Sequence, residues 1–339
     1  MGVDLAPIIV KHFVTLSDLR GRVIAVDANE YLYQFLALIR RPDGRPLTDS
    51  EGNVTSHLVG LVFRTTRLIA DYDMGLVFVF DGAPPSQKRR TISSRQLQRA
   101  EAEKQWRTAL DRGDRASAFS KAVMTSRLTR QMVCDAQKVL DLLGIPWIQA
   151  PSEAEAQAAY MAGKRRVWAS GSKDYDSLLF GAARLVRYLT ISGREYLPSK
   201  HVSRRIQPEL IILNELLQVL GLTREQLVEL ALLTGTDYHQ GIKGIGPRTA
   251  LKLVMKYGSI TDLPEELRTS LPTDIAEIKD LFLHPNVTDD FNIIVRPFSE
   301  EMLFDFLCRQ KSFSEDRVRM VAARMKAAHA QGRLFSWLK

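Results

Sequence analysis

Two short apolar runs stand out early in the chain. Residues 22–27 read Arg-Val-Ile-Ala-Val-Asp and residues 76–81 read Leu-Val-Phe-Val-Phe-Asp, each closing on an acid. Unbroken β-branched and aromatic runs of this length are typical of strands buried on both faces of a parallel sheet. Between them Leu58, Leu61, Val62, Leu68 and Ile69 recur at helical spacing, which predicts a helix over 54–72. A third strand is expected at Val167-Trp168-Ala169, preceded by a helix over 153–162. This alternation predicts an α/β fold with a central, mostly parallel sheet flanked by helices. From about residue 209 the spacing becomes helical, over 209–220, 224–234 and 247–257. Short helices and loops broken by Pro264, Pro272, Pro285 and Pro297 follow, then a last helix over 315–329.

With 45% hydrophobic and 25% charged residues, the chain has the composition of an ordinary globular protein. Its apolar runs, such as Met74 to Phe80, fall far short of a membrane span, so no membrane is expected as a partner. Met1-Gly2-Val3-Asp4 lacks the basic and apolar stretches of a secretory leader, and Ala6 stands where myristoylation wants Ser or Thr. Cys134 and Cys308 are far apart without metal-type spacing, which suits a reducing compartment. The net charge is +8. Residues 83–130 hold twelve Lys or Arg against Glu101, Glu103, Asp111 and Asp114, so this one segment carries an excess equal to that of the whole chain. It opens with Pro84-Pro85 and then has little apolar periodicity. A solvated helical hairpin without a role fits it, as does an insertion that handles a phosphate backbone.

Seven acids are notable for their positions. Asp27 and Asp81 end the two apolar strands, and the carboxyl ends of strands form the ligand crevice of an open α/β sheet. Asp174 and Asp176 follow the third strand, Glu153 and Glu155 open a helix, and Asp237 closes Thr234-Gly235-Thr236-Asp237. Gathering them in one cleft is costly unless a cation neutralises it, and oxygen ligands without His or Cys suit Mg²⁺ or Mn²⁺. Each also has a plain structural reading: Ser152-x-x-Glu155 is a capping box, and Asp174 or Asp176 is a turn residue. As a set they fit two-metal phosphoryl-transfer chemistry. Gly241-Ile242-Lys243-Gly244-Ile245-Gly246-Pro247 precedes a helix with Pro at its first position, so backbone N–H groups face a potential phosphate. It resembles a helix-hairpin-helix element, although a plain corner between helices has the same pattern.

The motifs Val26-Asp27-Ala28, Phe80-Asp81-Gly82-Ala83-Pro84-Pro85, Pro151-Ser152-Glu153-Ala154-Glu155-Ala156, Asp174-Tyr175-Asp176-Ser177-Leu178 and Gly235-Thr236-Asp237-Tyr238 occur in this order. Together they resemble the flap endonucleases, structure-specific 5′ nucleases of the XPG/Rad family, over essentially the whole chain, with a short C-terminus of archaeal type. The resemblance implies a PIN-like nuclease fold with a helical arch and a helix-hairpin-helix (H2TH) element. Its implied regions are an N-terminal nuclease region at 1–98, the rest of the arch at 99–130, and an internal nuclease region at 116–258 that includes the hairpin at about 235–257. A helical region at 259–329 and a clamp motif at 330–338 complete it.

By the same resemblance, Asp27, Asp81, Glu153 and Glu155 hold one Mg²⁺, and Asp174, Asp176 and Asp237 hold a second, with Mn²⁺ able to substitute. Lys88 and Arg95, seven and fourteen residues after Asp81, match the family's catalytic basic pair. Tyr33 matches an aromatic on which a terminal base stacks. Gly2, Arg40, Arg64, Glu153, Gly235, Asp237, Lys243, Gly244 and Gly246 match DNA contacts. Carbonyls around Gly241, Ile242 and Ile245 match a K⁺ site. Gln331, Leu334, Trp337 and Leu338 resemble the box that binds the sliding clamp PCNA, with Leu338 where an aromatic is usual. The implied activity is 5′ flap cleavage with 5′–3′ exonuclease activity in Okazaki-fragment maturation and long-patch base excision repair. The enzyme would be monomeric by itself and cytoplasmic, associated with the nucleoid. A 5′ exonuclease or excision-repair nuclease of the same superfamily, and a silent DNA-junction binder, are the alternatives.

Overall fold

The computed structural model describes residues 2–190, 193–197, 202–291, 293 and 296–330. A seven-stranded sheet forms its centre. Its strands are β1 (His12–Phe13), β2 (Val23–Asp27), β3 (Gly75–Phe80), β4 (Trp147–Gln149), β5 (Ala169–Gly171), β6 (Arg184–Arg187) and β9 (Glu209–Ile212), in the order β1-β9-β6-β5-β2-β3-β4. The five strands from β6 to β4 run parallel, and β9 and β1 close one edge antiparallel. Every residue of β2 and β3 is buried, which is why both read as unbroken apolar runs. Their register pairs Val23 with Gly75 and Asp27 with Val79, so Asp27 and the residue after Phe80 emerge at the same end of the sheet. A separate hairpin pairs β7 (Gly193–Leu197) with β8 (Val202–Ile206).

Helices α1 (Ala28–Leu38) and α2 (Ser56–Tyr72) connect β2 to β3. The basic segment then forms α3 (Arg89–Asp111) and α4 (Arg115–Met124), which pack through the small buried residues Ala102, Ala109, Ala118 and Ala122. Of the two, α3 is highly charged, whereas α4 carries Arg115 and Lys121 among mostly small and apolar residues. Toward its far end α3 is tied to the body where Trp106 Nε1 donates to Asp43 O at 3.4 Å. Helix α5 (Arg130–Leu143) leads to β4, α6 (Ala154–Gly163) to β5, and the single turn α7 (Asp176–Leu179) to β6. Helices α8 (Leu213–Leu220), α9 (Arg224–Thr234) and α10 (Pro247–Tyr257) follow β9. Then come α11 (Glu265–Arg268), α12 (Ile275–Leu283), α13 (Glu300–Phe304), one π-helical stretch (Asp305–Gln310) and α14 (Glu315–Ala330). No described helix is long and apolar enough to cross a membrane.

The structure differs from the sequence-based expectation in two places. The third strand lies at 169–171 rather than 167–169, although its ladder already begins with Trp168 N donating to Val23 O. The expected helix over 209–220 starts with strand β9 instead. Glu209 and Ile211 are buried while Leu210 and Ile212 are only partly so, an alternation set by pairing with β6.

Helices α1 and α2 touch at Gly60. A Cβ there would lie 2.1 Å from Phe35 Cγ, and Phe35 is fully buried. In an exposed helix, Gly→Ala gains about 1 kcal/mol. Here overpacking of about 1–3 kcal/mol opposes it. With the clash at 2.1 Å against a fully buried ring, the cost falls in the upper part of that range, and Gly60→Ala is expected to lower unfolding stability by about 1–2 kcal/mol in a denaturant melt. Unchanged or higher stability would show that α1 and α2 do not need this close approach.

Candidate active site

The carboxyl ends of the parallel strands deliver acids to one cleft. Asp27 is the last residue of β2 and caps α1, its Oδ1 accepting Glu30 N–H at 2.8 Å. Asp81 follows β3 and accepts from Asn29 Nδ2 at 2.8 Å and from Ala154 N at 2.9 Å, so it is held by the first turns of both α1 and α6. Glu153 is the N-cap of α6 and Glu155 lies in its first turn. The positive end of a helix favours carboxylates at such positions. Ser172 donates to Glu155 at 2.5 Å and receives Asp174 N–H at 3.1 Å. Asp176 accepts Val3 N–H at 2.7 Å. Gly2 packs against the same pair: a Cβ on it would lie 2.8 Å from Asp174 Cβ and 2.9 Å from Asp176 Oδ2.

The base of the arch supplies the opposing charge. Lys88 contacts Glu153 through its Nζ and lies 3.6 Å from Asp237. Arg95 Nη2 donates to both oxygens of Asp237 at 2.6 and 2.8 Å. Tyr238 donates its hydroxyl to Glu153. The seven acids and both expected cations thus lie within electrostatic reach of one another, with Asp81, Glu153, Lys88 and Arg95 lining one cavity and Arg95 and Asp237 the next.

Electrostatics shows how crowded that cleft is. Desolvation raises Asp27 well above the usual carboxylate range, with Asp81 and Glu30 adding to the shift. Glu155 is raised likewise, by desolvation and then by Asp176, Asp27 and Asp174. Asp176 is pushed up to about 7 by desolvation, Asp237 and Asp174. Asp237 goes the other way: desolvation alone would raise it, but Lys88 and Arg95 outweigh that and hold it low. Lys88 loses to burial and gains more from Glu153 and Asp237, so it stays firmly protonated. Among the described residues, no three His, Cys, Asp or Glu side chains form a ready-made metal cage. The donor set nevertheless fits a hard divalent cation, because it is all oxygen and its mutual repulsion is what such a charge relieves.

The other expected contacts are spread around this cleft. Tyr33 lies on α1 with the Arg99 guanidinium 5.6 Å from its ring centre. Arg40 spends its donors on Leu36 O, Gly44 O and Ser126 Oγ, joining α1 to the foot of the arch. Arg64 donates to Thr190 O at 2.6 Å and stacks over Phe35. Gly235 has φ +104°, and a Cβ there would meet Gln240 O at 2.7 Å, so the turn after α9 requires glycine. Lys243 and Gly244 are exposed in the turn, and Gly246 caps α10. Ile242 O accepts Ile245 N–H at 3.0 Å within that turn. Gln331, Leu334, Trp337 and Leu338 lie outside the described residues.

Sequence reasoning missed Glu30, Asn29 and Tyr238. Asp27-x-x-Glu30 has the spacing of a helix cap, the one sequence signal that could have pointed to Glu30. Glu30 is raised to about 7 by desolvation and by Asp174, which places it electrically among the seven.

Residues 1–102 match the XPG N-terminal domain family and residues 144–237 match the XPG I-region family. Flap endonuclease 1 of Pyrococcus furiosus is 48% identical over the full length of both chains, and that of Thermococcus onnurineus is 46% identical over 99% of both. Among solved structures, flap endonuclease-1 from Methanococcus jannaschii aligns with a TM-score of 0.77 at 36% identity, covering 97% of this chain and 99% of that one. The catalytic core of Rad2 in complex with DNA substrate aligns with a TM-score of 0.69 at 25% identity, over 93% and 96%.

A carboxyl whose pKa rises on folding binds its proton more tightly in the folded chain, so ionising it costs stability. For Asp176 that cost builds from its unperturbed value of 3.8 to about 7. Asp176→Asn keeps an oxygen for Val3 N–H and removes the charge. In EDTA, its melting temperature is expected to gain on the unmodified chain as pH rises through this interval and to level off above it. A pH-independent difference would show that burial and its neighbours do not raise Asp176.

Proposed function

The chain belongs to the flap endonuclease 1 family of XPG-type nucleases, and we propose that its acidic cleft hydrolyses the phosphodiester at the base of a 5′ DNA flap. It is a flap endonuclease, and nucleases of this family are metal-dependent. The observation that carries the assignment of roles is the pairing of Lys88 and Arg95 with Glu153 and Asp237. Two cations at the root of a basic segment contact two of the seven acids, so a phosphate entering there would meet both charges.

In this reading Asp27, Asp81, Glu153 and Glu155 hold one Mg²⁺, and Asp174, Asp176 and Asp237 a second, with Mn²⁺ able to replace them. Bound there, the cations supply Lewis acidity that lowers the pKa of water and neutralises phosphate charge. Lys88 and Arg95 exchange carboxylate for phosphate oxygens and stabilise the charge that grows in the transition state. Tyr33 offers its ring to the terminal base, next to Arg99. Gly2 allows backbone to approach Asp174 and Asp176 closely. Gly235, Lys243, Gly244 and Gly246 present the α9–α10 turn and the N-terminus of α10 to the backbone of the duplex, a contact that positions without reading sequence. Arg40 and Arg64 add cationic contacts to the DNA backbone beside α1.

The proposal extends to a K⁺ at the turn around Gly241, Ile242 and Ile245, and to PCNA binding through Gln331, Leu334, Trp337 and Leu338. It also includes 5′–3′ exonuclease action, with monomeric enzyme working near the nucleoid in Okazaki-fragment maturation and long-patch base excision repair.

Asp81→Ala removes an acid but few phosphate contacts, since affinity comes from many distributed cations. It is expected to abolish cleavage and leave flap binding nearly intact; equal loss of both in a folded variant contradicts the role. Lys88→Ala is expected to slow single-turnover cleavage roughly 100–1,000-fold, the usual cost of one preorganised charge-stabilising donor. A rate within about threefold of the unmodified chain, with only weaker binding, would make Lys88 a backbone contact instead.

A further inference from the structure

The first turn of α1 holds an eighth acid with a specific partner. Both carboxylate oxygens of Glu30 accept the Lys173 N–H, at 2.9 and 2.8 Å, across 143 positions of sequence. Lys173 immediately precedes Asp174. The carbonyl of Lys173 is held as well, accepting from Arg187 Nε at 2.7 Å, and buried Arg187 is itself fixed by Glu209 at 2.7 Å. The residue that introduces Asp174 is therefore gripped on both sides, by α1 through Glu30 and by β6 through Arg187. One residue earlier, Ser172 ties the same loop to Glu155. Neighbouring Asn29 ties the same turn of α1 to Asp81.

Glu30 adds negative charge next to Asp174, which by electrostatics alone is unfavourable. Its benefit has to lie elsewhere, and the contact with Lys173 supplies it: two side-chain oxygens hold the peptide N–H that introduces Asp174, a role of position rather than of charge. We propose that Glu30 is a positioning residue of the cleft: it holds the Lys173 peptide so that Asp174 and Asp176 stand in the geometry that takes a divalent cation. Its action passes through the loop between β5 and α7. This inference rests on the reading of the cleft as a cation site. Partners that orient metal-ligating groups typically matter 10–100-fold in affinity.

The test separates position from charge. Glu30→Asp keeps the charge but is one methylene too short to reach Lys173 N–H. Glu30→Gln loses the charge but keeps an oxygen at the right distance. Mn²⁺ binding to the full chain without DNA is measured by electron paramagnetic resonance, alongside the Mg²⁺ concentration for half-maximal cleavage. Glu30→Asp is expected to bind Mn²⁺ about tenfold or more weakly and to need correspondingly more Mg²⁺, with cleavage restored at saturation. Glu30→Gln is expected to stay within about threefold of the unmodified chain. The reverse order would assign the effect to charge, and two variants indistinguishable from the unmodified chain would remove any role; either overturns the inference while leaving the cation site standing. An unmodified chain that binds no Mn²⁺ overturns both.

Discussion

Carboxylates crowded into one cleft repel each other, and most of this structure can be understood as the means of holding them there. A parallel sheet directs β2, β3 and β5 to finish at one edge, and two helices begin where β2 ends and where β4 has turned back. The positive ends of α1 and α6 then face the acids, and backbone N–H groups of Glu30, Ala154 and Val3 bind three of them. Burial first and mutual repulsion second keep Asp27, Glu155 and Asp176 raised. Protein dipoles alone do not discharge the cleft, and a divalent cation is the kind of charge that would.

The arch belongs to the same electrostatic problem. It leaves the sheet at Pro84-Pro85, directly after Asp81, so its first cation returns to the acids within a few residues. Lys88 and Arg95 lie on the side that meets Glu153 and Asp237. Farther out, α3 has few apolar residues, and Trp106 fastens it to Asp43. The lysine and arginine that neutralise carboxylates in this structure are suited to transfer to a phosphate, because either anion satisfies the same charge-assisted hydrogen bonds.

Sequence was most informative where burial is local and continuous. Strands β2 and β3 were legible because both of their faces are covered, and the acids that end them were legible by position. Strand β9 was not, because Glu-Leu-Ile-Ile-Leu reads equally well as the start of α8; only pairing with β6 fixes its alternation. Strands β4 and β6 have three and four residues, too few for a period to register. Seven acids of the cleft stood out through their motifs. Glu30 stayed hidden because Asp-x-x-Glu is an ordinary helix start, and its partner Lys173 is brought near only by the sheet. The bonds of Arg40 to Leu36, Gly44 and Ser126 are likewise not revealed by spacing along the chain.

Whether this cleft is a flap nuclease once a divalent cation balances its charge is decided by incubating the purified full chain with a 5′-labelled double-flap DNA, in Mg²⁺ and in parallel in EDTA. A single incision close to the junction of single strand and duplex is expected in Mg²⁺, and none in EDTA, while the DNA remains bound in both. Incision that persists in EDTA, or bound DNA left intact in Mg²⁺ by the folded protein, would contradict it.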